Sequence, residues 1–374
     1  IPVGASLLAK AVCQIKKISA DTLHSRAGSL PQGIAFYSGL LRRQGQTLMT
    51  QFYDARGNIY GVISPTELRE AGIDLPSGAT ECASSHQSWS EAAIKLCCDW
   101  PEGQRPANSK SHRSDGLLIG PFQTSPPFDV LIVNTDGTLA ERSGNGLTIF
   151  SQALTEQGLM PEEGALLRVH HDKGDAVETS VKPAEVEGVE GFWLDLGQPR
   201  FGPDAVAAQT VQGIEFNARD VSHVQPLAQL DPDWAHSQFV RIGNPHCVTL
   251  LGDAAALPSN EQMRESPLSE RLTQVAYAMP VGAGDPCAAG VNLQWAMLES
   301  PQRILARVFE RGEGPTASSG TSASAVACAA WRVGWVAAGE VQVVMPGGTA
   351  PILLEAVEGE LRRVRLFGTA RLMG

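Results

Sequence analysis

The chain has 374 residues, 43% of them hydrophobic and 18% charged, with a formal net charge of −11. That length supports two domains with cores of their own, and the composition is that of a folded globular protein. The acidic balance, with no long basic run, argues against nucleic acid as a main partner, and no apolar run reaches the roughly 18–20 residues of a membrane helix.

Residues 1–48 read as an N-terminal extension, with Leu7, Leu8 and Val12 on one helical face and a glycine-bounded loop at 28–33. The opening Ile1 is compatible with a processed start, and residues 5–12 are too short and too lightly charged for a secretory signal. Strand-like residues 47–52, a turn at 54–58 and a strand at 60–64 follow. Residues 90–98 carry Ala93, Ile94 and Cys97 at helical spacing. The polar, proline-containing stretch 101–114 predicts a surface loop, either an insertion or a lid.

Residues 117–119 and 130–133 predict buried strands, and Asn134-Thr135-Asp136-Gly137 a tight turn. Ser143-Gly144-Asn145-Gly146 then opens a helix with Leu147, Phe150 and Leu154 on one face. The second half repeats this grammar. Strands at 239–242 and 248–251 flank Gly243-Asn244-Pro245-His246, and a strand at 304–309 runs into Glu310-Arg311-Gly312. Ser319-Gly320-Thr321-Ser322 opens a small-residue helix at 323–336, and strands at 341–345 and 352–353 flank a Pro-Gly-Gly turn. One central helix among strands in each half predicts the α+β class, two similar domains and a cleft between them.

The paired Ser-Gly motifs are the chemical signal. Helix N-termini carry free N–H groups and partial positive charge, so two facing ends suit a carboxylate, or an anion formed beside it. That points to chemistry at the α-carbon of a small acid. Asn58, Asn134, Asn244, His246, Glu310 and Arg311 join the two motifs as candidates for the cleft. Each has a plain alternative: turn asparagines, a core histidine, a solvated ion pair, and serines acting only as N-caps. His170-His171-Asp172 reads as a surface turn rather than a metal site. No GxGxxG, Walker or nucleophile-elbow motif occurs. Seven scattered cysteines without a CxxC pair point to a reducing cytoplasm.

Taken in order, these blocks resemble the diaminopimelate epimerase family of cofactor-independent amino-acid racemases and epimerases over roughly residues 49–374. The resemblance rests on Gly57-Asn58, the Asn134 turn with Ser143–Gly146, Gly243-Asn-Pro-His-Cys-Val248, Asn292, and Glu310-Arg311-Gly312-x-Gly314 with Ser319-Gly-Thr321. It implies two domains, 49–172 plus 366–374 and 173–365, each a strongly curved, mostly antiparallel sheet around a central helix, with the site in the interdomain cleft. It implies inversion at an α-carbon, LL- to meso-diaminopimelate in lysine and cell-wall precursor synthesis being the leading case, with neither cofactor nor metal. Carried over by position, Asn58, Asn134, Asn244, Asn292 and Arg311 bind substrate, and Gly144, Asn145, Gly320 and Thr321 cradle the α-carboxylate. His246 and Glu310 stand beside the proton-transfer groups.

The family uses two cysteines, one per domain; here Ser143 and Ser319 occupy both positions, and Gly116 stands where a polar side chain is usual. A serine hydroxyl is a far weaker acid than a thiol and needs an adjacent base, for which His246 and Glu310 are the candidates. Two further readings follow: a proton-shifting isomerase or dehydratase with a single carboxylate, Glu310 or Asp136, and a binding protein that kept the cleft without the chemistry. The expected partner is a small amino acid rather than nucleic acid or membrane, with a homodimer as the compatible assembly.

Overall fold

The structure, a computed structural model, describes residues 41–43, 46–48, 50–107, 109–209 and 211–373; the expected helical face at Leu7, Leu8 and Val12 and the loop at 28–33 lie outside them. Strands β1 (Leu41–Arg43) and β2 (Gln46–Leu48) pair as an antiparallel hairpin. Strands β3 (Gln51–Ala55) and β4 (Asn58–Ile63) form a second one. Its turn residues Arg56 and Gly57 have φ of 55° and 87°, the conformation a two-residue hairpin needs.

Helices α1 (Pro65–Glu70), α2 (Ala79–Ser84) and α3 (Ser90–Cys98) then cross over to β5 (Gly116–Ile119), parallel to β4. Strand β6 (Phe128–Asn134) leads through helix α4 (Gly144–Glu156) to β7 (Ala165–His170), parallel to β6. Strands β8 (Val177–Val186) and β9 (Val189–Gly197) continue antiparallel.

The second half begins with β10 (Arg200–Phe201), β11 (Gln212–Phe216) and β12 (Arg219–His223) at one sheet edge. Strands β13 (Ser237–Ile242) and β14 (Asn244–Leu251) form a hairpin. Helices α5 (Asn260–Arg264) and α6 (Leu268–Ala276) cross to β15 (Asn292–Ser300), parallel to β14. Strands β16 (Arg303–Glu310) and β17 (Gly314–Thr316) precede helix α7 (Gly320–Arg332). Strand β18 (Gly339–Met345) is parallel to β16, and β19 (Gly348–Val357) and β20 (Glu360–Gly368) follow antiparallel. The series β3 to β9 around α4 is thus repeated by β13 to β20 around α7. The two series join where β9 pairs with β20, Leu194 opposite Leu366, and β21 (Arg371–Leu372) returns to β3.

Packing explains the two central helices. Leu147, Ile149, Phe150, Ala153 and Leu154 of α4 pack on Tyr53, Val62, Leu118, Val130 and Leu194. Helix α7 is buried at every position from Ser322 to Ala330, which demands its run of Ala, Ser, Val and Cys: small side chains let strands approach on all sides. It ends before the expected residue 336. Gly334, at φ 74°, takes the left-handed position, and the Trp335 N–H donates to the Ala330 carbonyl, closing the helix. Helices α1–α3 and α5–α6 cover the outer sheet faces, so strands such as β5 are buried on both sides and read as unbroken apolar runs.

Val181, Phe192 and Leu194 of β8 and β9 pack in the core around α4, joined to β7 by continuous antiparallel pairing. A further sequence expectation changes. Residues 243–246 are not a connector: Gly243, at φ 67°, is the single turn residue, and β14 starts at Asn244. His246 therefore lies within a strand.

Candidate active site

Helices α4 and α7 begin alike. Ser143 (φ −145°, ψ 117°) and Ser319 (φ −153°, ψ 121°) are extended N-caps. Their Oγ atoms accept the N–H of Gly146 at 3.0 Å and of Ser322 at 3.5 Å. One turn further, Thr148 and Ser324 each donate back to the glycine carbonyl that follows the cap, Gly144 and Gly320, at 2.9 and 2.8 Å. The first N–H groups of both helices lack intrahelical partners by construction. Both helix starts open on one cavity of about 980 Å³. Its wall includes Leu194 and Leu366, the pair at the seam between the halves. A Cβ placed on Gly144 would lie 3.9 Å from Leu366 Cδ2, and one on Gly320 only 2.5 Å away. One leucine thus separates the two helix starts.

Asn58, Asn134, Ser143, Gly144, Asn145, Asn244, Glu310, Ser319, Gly320 and Thr321, all singled out from sequence, line this cavity. Asn134 is held by its own turn, its Nδ2 donating to Thr138 Oγ1 at 3.0 Å. The two serines differ in their company. Ser319 shares the cavity wall with Glu310, and its hydroxyl favours the Glu310 carboxylate. Burial and then the Glu313 charge raise the Glu310 pKa, against the lowering effect of the neighbouring Ser319 and Thr316 hydroxyls. Ser143 faces a phenol: its Oγ lies 3.4 Å from Tyr60 Oη. Burial raises the Tyr60 pKa and Asp115 adds to it, so the phenol is neutral at physiological pH.

A curated relative from Nostoc sp., diaminopimelate epimerase 2, is 33% identical over 303 residues, 79% of this chain and 85% of its own length. The chain belongs to the diaminopimelate epimerase family. The diaminopimelate epimerase of Paraburkholderia xenovorans is 31% identical over 250 residues, covering 66% of this chain and 78% of that one. The diaminopimelate epimerase family profile matches residues 238–372. A methylitaconate-delta-isomerase structure aligns with a TM-score of 0.52 at 14% identity over 87% of this chain and 93% of that one, which shows a shared fold. The family places this chain among cofactor-independent isomerases of the epimerase and racemase type.

Three residues that the family pattern assigns to the site, His246, Asn292 and Arg311, are not in the cavity wall, although Asn244 and Glu310 beside them are. His246 is wholly buried in β14. Its Nδ1 accepts from Gln294 Nε2 at 3.0 Å, and the same amide donates to Ser322 Oγ at 3.1 Å. Burial pushes its imidazole down to about 3, so it is neutral and supports the α7 start from below rather than carrying a proton. Strand alternation is the cause: two residues beyond Asn244, it shares that residue's face but lies deeper, under α7. Asn292 pairs with His246 across β14 and β15, and its Oδ1 accepts the Arg311 backbone N–H at 2.8 Å. The Arg311 guanidinium donates to the Ala289 carbonyl. Both residues therefore fix the chain leaving β16.

Sequence reasoning missed Tyr60 and Arg142, both in the cavity wall. Tyr60 follows Asn58 by two positions in β4, so alternation was the available signal. Arg142 directly precedes the first Ser-Gly motif, where nothing but proximity marks it. No described residue of the 101–114 loop lines the cavity; Trp100 Nε1 donates to the Lys110 carbonyl and Arg113 stacks over Phe52, tying the loop to its own base. His170 bonds Asp129 at 2.9 Å, and among the described residues no cluster of three or more His, Cys, Asp or Glu is placed to hold a metal.

Proposed function

We propose that this protein removes and returns the proton at the α-carbon of an amino acid whose α-carboxylate lies between the N-termini of α4 and α7. Diaminopimelate, converted from LL to meso, is the leading substrate. The observation that carries this reading is the single cavity shared by two capped helix starts. Losing the α-proton puts negative charge onto the carboxylate. The N–H groups of Gly144, Asn145, Gly320 and Thr321 face that charge as it develops, and oriented backbone donors of this kind are worth about 3–4 kcal/mol each in a water-poor site.

Ser143 and Ser319 stand in the roles of the family's cysteines. On the Ser319 side Glu310 is the base. Its raised pKa gives it more affinity for a proton than an ordinary carboxylate has, and Ser319 passes the substrate proton to it as its own O–H bond exchanges. On the opposite face Ser143 gives its proton to carbon and takes one from Tyr60. Turnover leaves Glu310 protonated and Tyr60 as phenolate; once product leaves, Glu310 gives its proton to water and Tyr60 takes one from water. One asymmetry supports a second reading: among the described residues a carboxylate, Glu310, accompanies Ser319 while a phenol, Tyr60, accompanies Ser143, which suits exchange with retention or a one-base proton shift.

The test is proton NMR of amino acids incubated with the protein in D2O. Deuterium uptake with inversion supports epimerisation, and uptake with retention supports the one-base reading. Tight binding without any uptake leaves a silent binding protein. If Ser143→Cys with Ser319→Cys also leaves every amino acid inert, the epimerase reading falls.

A further inference from the structure

We infer that Gly116 is a positioning residue: the side chain it lacks leaves the space in which the Tyr60 ring lies, and that placement brings the Tyr60 phenol to Ser143. This rests on Tyr60 as the proton source for Ser143 and adds a residue that does not itself line the cavity. Strands β4 and β5 are parallel, with Tyr60 directly opposite Gly116. Neighbouring strands lie about 4.8 Å apart, so facing side chains compete for the same volume. A Cβ on Gly116 would lie 2.8 Å from Tyr60 Cε1 and 3.2 Å from Cδ1, the first of them closer than a methyl group can stand. One edge of the ring therefore rests on bare backbone. Its Oη stands 3.4 Å from Ser143 Oγ, in the cavity wall. Gly116 has no left-handed φ, so the conformation of β5 does not ask for glycine. A buried glycine inside a strand marks instead a close approach by a neighbour.

The internal repeat supplies the comparison. Asn58 opens β4 and Asn244 opens β14, and two residues on stand Tyr60 and His246. Gly116 and Asn292 open β5 and β15 and face those two residues. Where Asn292 carries a side chain, its Oδ1 accepts the Arg311 N–H, and the facing His246 ring is wholly buried against Gln294, outside the cavity wall. Where Gly116 carries none, Tyr60 keeps 7% of its surface exposed and reaches the serine that caps α4. The bare start of β5 thus gives the first half an aromatic group at its serine, which the second half lacks. The Val133 carbonyl oxygen, 2.6 Å from the same Cβ, is the rival reason for a glycine at 116.

Fluorine NMR of the full chain labelled with fluorotyrosine tests this, the Tyr60 signal being the one lost in Tyr60→Phe. Ser143→Ala should shift that signal when Gly116 is present. Gly116→Ala should move it too, and adding Ser143→Ala should then leave it where it is. In D2O, Gly116→Ala and Tyr60→Phe should each slow α-proton exchange about tenfold or more, and the double variant should match Tyr60→Phe within about twofold. A Tyr60 signal that Gly116→Ala leaves unmoved overturns the inference, and so do exchange rates in which the two losses multiply. If Gly116→Ala does not fold, Gly116→Ala with Tyr60→Leu decides. A folded double variant shows that the ring demands the glycine; an unfolded one shows that the Val133 carbonyl does, and the inference falls. A wild type that exchanges no amino acid removes the amino-acid reading, while the fluorine comparison still decides where Gly116 puts the phenol.

Discussion

Gly144 and Gly320 are equivalent first residues of two similar helices, yet the structure separates them sharply. A Cβ on Gly144 meets nothing closer than Leu366 Cδ2 at 3.9 Å, an ordinary contact. Gly144→Ala should therefore stabilise the protein by about 0.5 kcal/mol, through the reduced freedom of the unfolded chain. A Cβ on Gly320 would meet the same atom at 2.5 Å, so Leu366 Cδ2 must move by about 1 Å to reach ordinary contact. Leu366 is 8% exposed and packed at the β9–β20 seam, and its open direction is the cavity. Turning the side chain off its preferred rotamer costs about 0.5–1.5 kcal/mol, which offsets the gain and leaves Gly320→Ala about 0–1 kcal/mol less stable than the wild type. The larger effect falls on ligand affinity, because the displaced leucine enters the space between the two helix starts. Denaturant unfolding and calorimetric titration of an amino acid, run on both single variants and on Gly320→Ala with Leu366→Ala, make the comparison. Tight binding by Gly144→Ala, weak binding by Gly320→Ala and recovery in the double variant are expected. Equal behaviour of the two single variants would refute the view that both helix starts rest on one leucine.

Other outcomes follow from the site. Burial raises the Glu310 pKa above its ordinary 4.5, so the proton it holds in the folded state contributes stability that is complete below pH 4.5 and lost as pH rises through the folded value. Glu310→Gln should therefore be more stable than the wild type at pH 8, equal to it near pH 4, and slower in α-proton exchange by about 10²–10⁴; thermal unfolding at the two pH values and NMR exchange check this. The His246 imidazole, pushed down to about 3, should show no NMR titration between pH 5 and 8, and its contribution to stability should fade as pH drops from 6.5 towards 3; a midpoint near 6.5 would return it to the proton path. Asn292→Ala should destabilise the protein by about 1–3 kcal/mol by leaving the Arg311 N–H unpaired, while Arg311→Ala should change amino-acid affinity less than twofold by calorimetry.

The parts of this molecule legible in the sequence are those with local causes. The serines before Gly144 and Gly320 announce helix starts because capping is settled within four residues, and the small-residue run after Ser319 announces a helix enclosed by strands. The helix at 90–98 shows in its period alone. What stayed hidden depends on pairing. Nothing in Gly243-Asn-Pro-His says that the turn is one residue long, and that single fact decides between the core histidine and the cleft residue that the sequence left open for His246. Asn292 and Arg311 match a family motif by order, but their roles are set by how β15 and β16 leave the sheet. The boundary between the halves carries no composition shift, because β8 and β9 are ordinary strands whose allegiance is decided by contact with α4. Arg142 depends on where Asp195 falls, 53 residues away.

A crystal structure of the protein with a bound α-amino acid reaches the central claim most directly. One carboxylate should sit within hydrogen-bond distance of backbone N–H groups at the starts of both α4 and α7, with Ser143 and Ser319 on opposite faces of the attached carbon. A carboxylate held by one helix start alone, or seated away from both, would contradict it.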